Sequence, residues 1–173
     1  SGTSEGSYVS RLWHELSRAA RSQRKDSEDY VRALAVGFMR SADNAHATHP
    51  NHPECADSAN QEVMNEGVVV KFNANQKYTT DGVSKACCQQ VCDKAKVPVQ
   101  FCANRSDLPG GSTLGNISGA HVSSNTLDIG LAQLAMHSAY ETAGVRDLEH
   151  MIRAMQSFYL TPLSVRADGE YFC

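Results

Sequence analysis

No apolar run in the chain approaches the roughly 18 residues that a bilayer-spanning helix requires, so no transmembrane helix is expected. The opening residues, SGTSEGSYVS, lack the basic start and apolar stretch of a secretory signal, and a cytoplasmic protein is expected. A basic excess is missing as well. The formal net charge is -3 with both signs mixed along the chain, which argues against nucleic acid as a partner. There is no internal repeat and no low-complexity linker. Six cysteines are present, yet Cys87, Cys88 and Cys92 crowd into ACCQQVC, which reads as one helix and makes a poor disulfide framework. Reduced thiols packed as small hydrophobes are expected instead. What remains is ordinary globular composition: 173 residues, 41% hydrophobic and 20% charged, enough for one domain with a sizeable core.

Hydrophobic spacing predicts the order of elements. YVSRLWHELSRAA reads as an amphipathic helix from about Ser7 to Arg21. EDYVRALAVGFMRSAD starts helical and becomes a strand after Ala35, because Gly37 interrupts the helix; Asp43 then ends a strand, the place where open α/β sheets carry ligands. GVVVKFNANQ gives a β-branched strand from Val68 to about Asn73 in which Lys71 is the odd residue. DGVSKACCQQVCDKAK follows as a helix with Asp81 near its start, VPVQFCANR and NTLDIG as further strands, and LAQLAMHS as an apolar approach to His137. The stripe Leu148, Met151, Ile152, Met155 and Tyr159 in VRDLEHMIRAMQSFYL predicts a final helix whose apolar side is core. Strands alternating with helices, with polar motifs in the loops after strands, describe an α/β sandwich, a mixed sheet flanked by helices.

The chemistry concentrates in SADNAHATHPNHPEC, where Asp43, His46, His49, His52 and Cys55 fall within fifteen residues and Pro50 and Pro53 argue against a helix. His14 and His150 lie in helices and read as structural. His137 follows an apolar run, a setting that holds an imidazole rigidly. An aspartate from one strand end and a histidine from another are oxygen and nitrogen ligands suited to zinc, manganese or cobalt. Two ligands are too few for a closed site, so spacing alone leaves metal binding open. The loop SDLPGGSTLGNISG could let a substrate approach main-chain N–H groups, with Ser112 and Thr113 capping the short helix that follows; no lysine follows its glycines, so it is no phosphate-binding loop.

Four motifs, SADNAHATHPN, VVVKFNANQKYTT, RSDLPGGSTLG and LDIGLAQLAMHS, in this order and at these separations, resemble the C-terminal half of the aspartyl aminopeptidase family of dinuclear zinc peptidases, and the resemblance covers nearly the whole chain. It implies that Asp43 and His137 are metal ligands, that His46 faces the substrate and helps polarise the scissile carbonyl, and that Lys71 meets the acidic side chain of the substrate's first residue. Tyr78 and the main chain around Gly111, Ser112 and Thr113 match the walls of the same pocket. The implied protein is a zinc-dependent aminopeptidase that releases N-terminal, preferably acidic, residues from peptides. Two zinc ions per complete site are implied, with manganese or cobalt as alternatives, and a homo-oligomer for the complete enzyme.

The chain departs from the family where Cys55 and Ala56 replace a Lys-His pair, and at Gly110 and Tyr140. The family's His-x-Asp motif, bridging aspartate and Glu-Glu pair, one glutamate of which is the general base, all precede the point that matches Ser1, as does an inserted β-rich dimerisation domain. Residues 1–173 are therefore expected to be part of a catalytic domain and inactive alone. Two other readings compete: a non-catalytic binding or structural module that keeps the fold of a half-domain, and a structural zinc site built from His46, His49, His52 and Cys55.

Overall fold

The computed structural model describes residues 11, 14, 15, 18, 27–105, 107, 108, 110–165, 171 and 172. Most of the helix predicted over Ser7 to Arg21 lies outside them.

Helix α1 (Ser27–Val36) runs into β1 (Phe38–Ala42) across Gly37, as the sequence predicts. Short β2 (Ala45–His46) follows, then a 3-10 turn at Pro53–Cys55. β3 (Val68–Phe72), α2 (Gly82–Ala95) and β4 (Val99–Ala103) form a strand–helix–strand unit with parallel strands. The six-residue α3 (Leu114–Gly119) leads to β5 (Asn125–Gly130), then β6 (Ala132–Leu134), β7 (Thr142–Ala143) and the long α4 (Val145–Leu160). β8 (Ser164–Val165) and β9 (Tyr171–Phe172) pair with each other.

The main sheet has the order β1-β5-β3-β4, with β1 parallel to β5, β3 parallel to β4, and β5 antiparallel to β3. A second sheet, β2-β6-β7, carries the continuation of β1 and β5 beyond their ends. Mixed pairing flanked by helices is the predicted class.

Side chains alternate across each strand, and the two faces of the main sheet part accordingly. Val68, Val70, Leu127 and Ile129, all fully buried, pack under Cys88 and Cys92 of α2 and Ala154 of α4. Burying each such aliphatic side chain is worth about 1.5–3 kcal/mol, and this layer holds the helices to the sheet. The thiols there are free and serve as small hydrophobes, as expected. α2 starts on a capping box in which the Asp81 carboxylate accepts from Ser84 N–H at 2.7 Å and the Ser84 hydroxyl accepts from Asp81 N–H at 2.9 Å. Gly67, at φ +107°, precedes β3 where a Cβ would lie 2.1 Å from the Pro98 carbonyl oxygen, so only glycine fits.

The stripe predicted on α4 is corrected in part. Met151 and Met155 pack on the core, whereas Leu148, Ile152 and Tyr159 are 61%, 50% and 76% exposed. The reason is angular. Successive residues advance 100° around a helix, so those three sit about a quarter turn from the line through Met151, Ala154 and Phe158 that meets the sheet.

Candidate active site

The polar chemistry gathers on the other face of the same sheet and at the ends of its strands. One cavity of about 440 Å³ is lined by all eight candidate residues: Asp43, His46, Lys71, Tyr78, Gly111, Ser112, Thr113 and His137. Five separate stretches of chain contribute them.

Asp43 follows β1 directly, with its side chain exposed and its backbone fixed on both sides. Its N–H donates to the Ile129 carbonyl at 2.9 Å, and its own carbonyl accepts from Lys71 Nζ at 2.9 Å. Gly130 permits this approach, since a Cβ there would stand 2.0 Å from the Asp43 carbonyl oxygen. Lys71 Nζ also reaches the Asn44 carbonyl at 3.3 Å and lies 5.2 Å from the centre of the Tyr78 ring. Lys71 is buried, and burial pulls its ammonium below the usual lysine range, against the opposing charges of Asp43 and Asp128. Burial raises the Tyr78 phenol, and a hydrogen bond to Asn104 opposes that shift.

His46 ends β2 beside Gln133 of β6 and is exposed. His137 has a left-handed backbone, φ 67°, its backbone N–H donates to the Glu141 carboxylate at 2.6 Å, and the residue lines the cavity. His49 and His52 are occupied locally. Asn51 N–H donates to His49 Nδ1 at 3.2 Å, and His52 Nδ1 lies 3.0 Å from Glu54 Oε1. Among the described residues no three His, Cys, Asp or Glu side chains gather about a point that could hold one ion, and this sets aside the structural zinc site of His46, His49, His52 and Cys55. Asp43 and His137 offer a carboxylate and an imidazole to one cavity, a donor pair that fits zinc and that needs further ligands to complete a site.

Thr113 does not cap α3 with its side chain; the hydroxyl is drawn instead to Asp128 at 2.7 Å. Asp128, inside NTLDIG, is fully buried and was not singled out from the sequence, and neither were Glu62 and Gln133. Glu62, 4% exposed, lines the cavity with its carboxyl against the Cys102 thiol and its Oε1 without a hydrogen-bond partner among the described residues. Burial pushes its carboxyl above the ordinary range. The Cys102 thiol is raised for the same reason, with the Glu62 carboxyl adding to the shift. Gln133 accepts a hydrogen bond from the Asn44 amide. A charged residue flanked by buried aliphatics, as in LDIG, was the available signal for Asp128; nothing in the irregular stretch around Glu62 marked that residue.

A mixed α/β sheet with a polar cavity at its strand ends is the arrangement in which open α/β folds bind their ligands. The model of the aminopeptidase I zinc metalloprotease (M18) family matches residues 1–159. The chain belongs to this family. It is 42% identical over 159 residues to a probable M18 family aminopeptidase 2 of Clostridium novyi, an alignment that takes in 92% of this chain and 37% of the relative. Among solved structures it is similar to a chain of the Ape4 and Nbr1 complex, with 38% identity, a TM-score of 0.76, and coverage of 78% of this chain and 26% of that one. It is also similar to the mApe1 dodecamer of S. cerevesiae, with 26% identity, a TM-score of 0.65, and coverage of 73% and 27%. The chain thus spans well under half the length of the relatives it matches.

Proposed function

We propose that residues 1–173 are part of the catalytic domain of a zinc-dependent aminopeptidase that releases N-terminal residues, preferably acidic ones, from peptides, and that this chain supplies one half of the active site. The observation that carries the reading is the meeting of Asp43, His46, Lys71, Tyr78, 111–113 and His137 at one cavity in a chain of the M18 family.

In this reading Asp43 and His137 hold metal, each on one ion of a pair, and zinc would supply Lewis-acid polarisation of the scissile carbonyl. The chain's own groups do the rest. The clamped backbone of Asp43 aims its carboxylate, and the turn at His137 aims its imidazole. His46 stands beside the scissile carbonyl as a hydrogen-bond donor. Lys71 spends two of its three N–H donors on the Asp43 and Asn44 carbonyls, which leaves the third for a substrate carboxylate. Main-chain groups at Gly111 and Ser112 line the cavity beside Tyr78. The general base and the remaining ligands come from the part of the polypeptide that the longer relatives possess and this chain does not span. Homo-oligomer formation accords with the similarity to a dodecamer, and a cytoplasmic location accords with five free cysteines among the described residues.

Metal analysis of the full-length polypeptide tests the assignment. Asp43→Ala and His137→Ala should each deplete bound zinc, while His49→Ala and His52→Ala retain it; full occupancy in the first two variants defeats the reading. The alternative of a binding module without hydrolysis rests on Asp43 and His137 being the two residues that match metal-ligand positions of the family, too few to complete a site. It wins if the full-length polypeptide, loaded with zinc, manganese or cobalt, cleaves no aspartyl or glutamyl peptide.

A further inference from the structure

Asp128 receives three hydrogen bonds from two segments that are distant in sequence. Oδ2 accepts from both the N–H and the hydroxyl of Thr79, each at 2.7 Å, and Oδ1 accepts from the Thr113 hydroxyl at 2.7 Å. Thr79 adjoins Tyr78, and Thr113 adjoins Ser112, so each carboxylate oxygen holds one portion of the cavity wall. The hold continues in the backbone, where Asp128 N–H donates to the Thr80 hydroxyl at 3.0 Å. Gly115 closes from a third side, since a Cβ there would lie 2.7 Å from Oδ1, and its N–H donates to Ser41 Oγ at 3.0 Å. The strand cannot shift to relax these bonds, because Leu127 and Ile129 on either side are fully buried in the helix-side core.

A fully buried carboxylate is an expensive way to fill a strand position, and an apolar residue of similar volume would serve packing as well or better. What a carboxylate adds is acceptor capacity without a donor, directed to two sides at once. We propose that Asp128 is a positioning residue for substrate recognition: its two oxygens set the Tyr78 portion and the 111–113 portion of the wall at the separation that the first residue of the substrate requires. This rests on the aminopeptidase reading.

Two variants of the full-length polypeptide separate this role from a contribution to folding alone. In Asp128→Asn the carbonyl oxygen can take the Thr79 donors and the amide can donate to the Thr113 hydroxyl, which reverses to accept; Asp128→Ala keeps neither bond. With aspartyl and glutamyl peptides, Asp128→Ala should raise KM by about tenfold or more while kcat changes less, and Asp128→Asn should recover most of that loss. Hydrogen exchange at the Thr79 amide should quicken in the alanine variant and stay slow in the asparagine variant. An unchanged KM in Asp128→Ala, or an asparagine variant no better than alanine, overturns the proposal. Should the alanine variant fail to fold, Thr113→Val removes one wall's bond alone. It should raise KM several-fold and leave Thr79 exchange slow, and an unchanged KM counts against the proposal. A wild-type polypeptide without peptidase activity would defeat the functional reading instead, and the Thr79 exchange rates would still decide whether Asp128 holds the wall.

Discussion

The two faces of one four-stranded sheet do different work in this molecule. On the helix side, Val68, Val70, Leu127 and Ile129 meet thiols and alanine from α2 and α4. On the other side, Val69 and Cys102 join a small apolar cluster with Ala45 and Ala132, while Lys71 and Asp128, nearly or fully buried, are hydrogen-bonded to loops that line the cavity. The same strands thus place a wholly apolar layer and a layer that carries buried charges among apolar residues one residue out of phase. The apolar layer supplies stability without direction, whereas the charged groups of the other layer supply direction: Lys71 holds the Asp43 and Asn44 carbonyls, Asp128 holds Thr79 and Thr113, and each commitment fixes a loop.

A substitution on the helix side should break the comparison at its foundation. Leu127→Ala empties space at the centre of the core, where no side chain can move in without leaving its own contacts, and should cost about 3 kcal/mol of unfolding free energy. Denaturant unfolding measures it. The loss should appear chiefly as lower stability, with a change in selectivity among peptides smaller than that of Asp128→Ala. A stability change below about 1 kcal/mol would mean that the helix-side layer collapses around the gap.

The polar side should respond in the opposite way. Lys71→Met preserves length and packing but deletes the ammonium, and removal of one partner from a desolvated charge pair commonly costs several kcal/mol. Hydrolysis of aspartyl and glutamyl peptides should therefore fall by about 30-fold or more relative to leucyl or alanyl peptides. Because Lys71 also holds the Asp43 and Asn44 carbonyls, a smaller loss should extend to every substrate. An equal loss on all substrates would assign the lysine to the Asp43 loop alone.

How much of this was legible in the sequence follows from the range of each interaction. The helix-strand change at Gly37, the strand Val68–Phe72 and the capped helix after Asp81 are local, and periodicity and capping residues announce them. Strand order is not local: β5 inserts between β1 and β3, a placement that no pattern within any one strand encodes. The eight candidate residues were nominated through their motifs, and what the fold adds is that all of them line one cavity. Asp128 was hidden because its partners Thr79 and Thr113 lie 49 and 15 residues away. The α4 stripe shows the converse limit. Its periodicity reports an apolar side of the helix, but which part of that side meets the sheet depends on how the helix is rolled onto its neighbours.

Glu62 gives the smallest expected effect and sharpens the contrast between the faces. Its carboxyl is buried beside Cys102, and burial raises its affinity for a proton above that of an ordinary carboxyl. The folded state then binds more protons than the unfolded state across the interval from the ordinary carboxyl value, 4.5, up to the raised one. Stability contributed by that proton is fully present below the ordinary value and is lost as pH rises through the raised value. Glu62→Gln has the same shape and does not titrate, so unfolding free energy measured from about pH 4 to pH 8 should decline less steeply with rising pH in the variant than in the wild type. No corresponding change of slope should follow from Leu127→Ala, because the helix-side residue it removes carries no proton. If Glu62→Gln leaves the pH dependence as it was, the carboxyl has found a partner that ionises it on folding, and the polar face is better compensated than its geometry indicates.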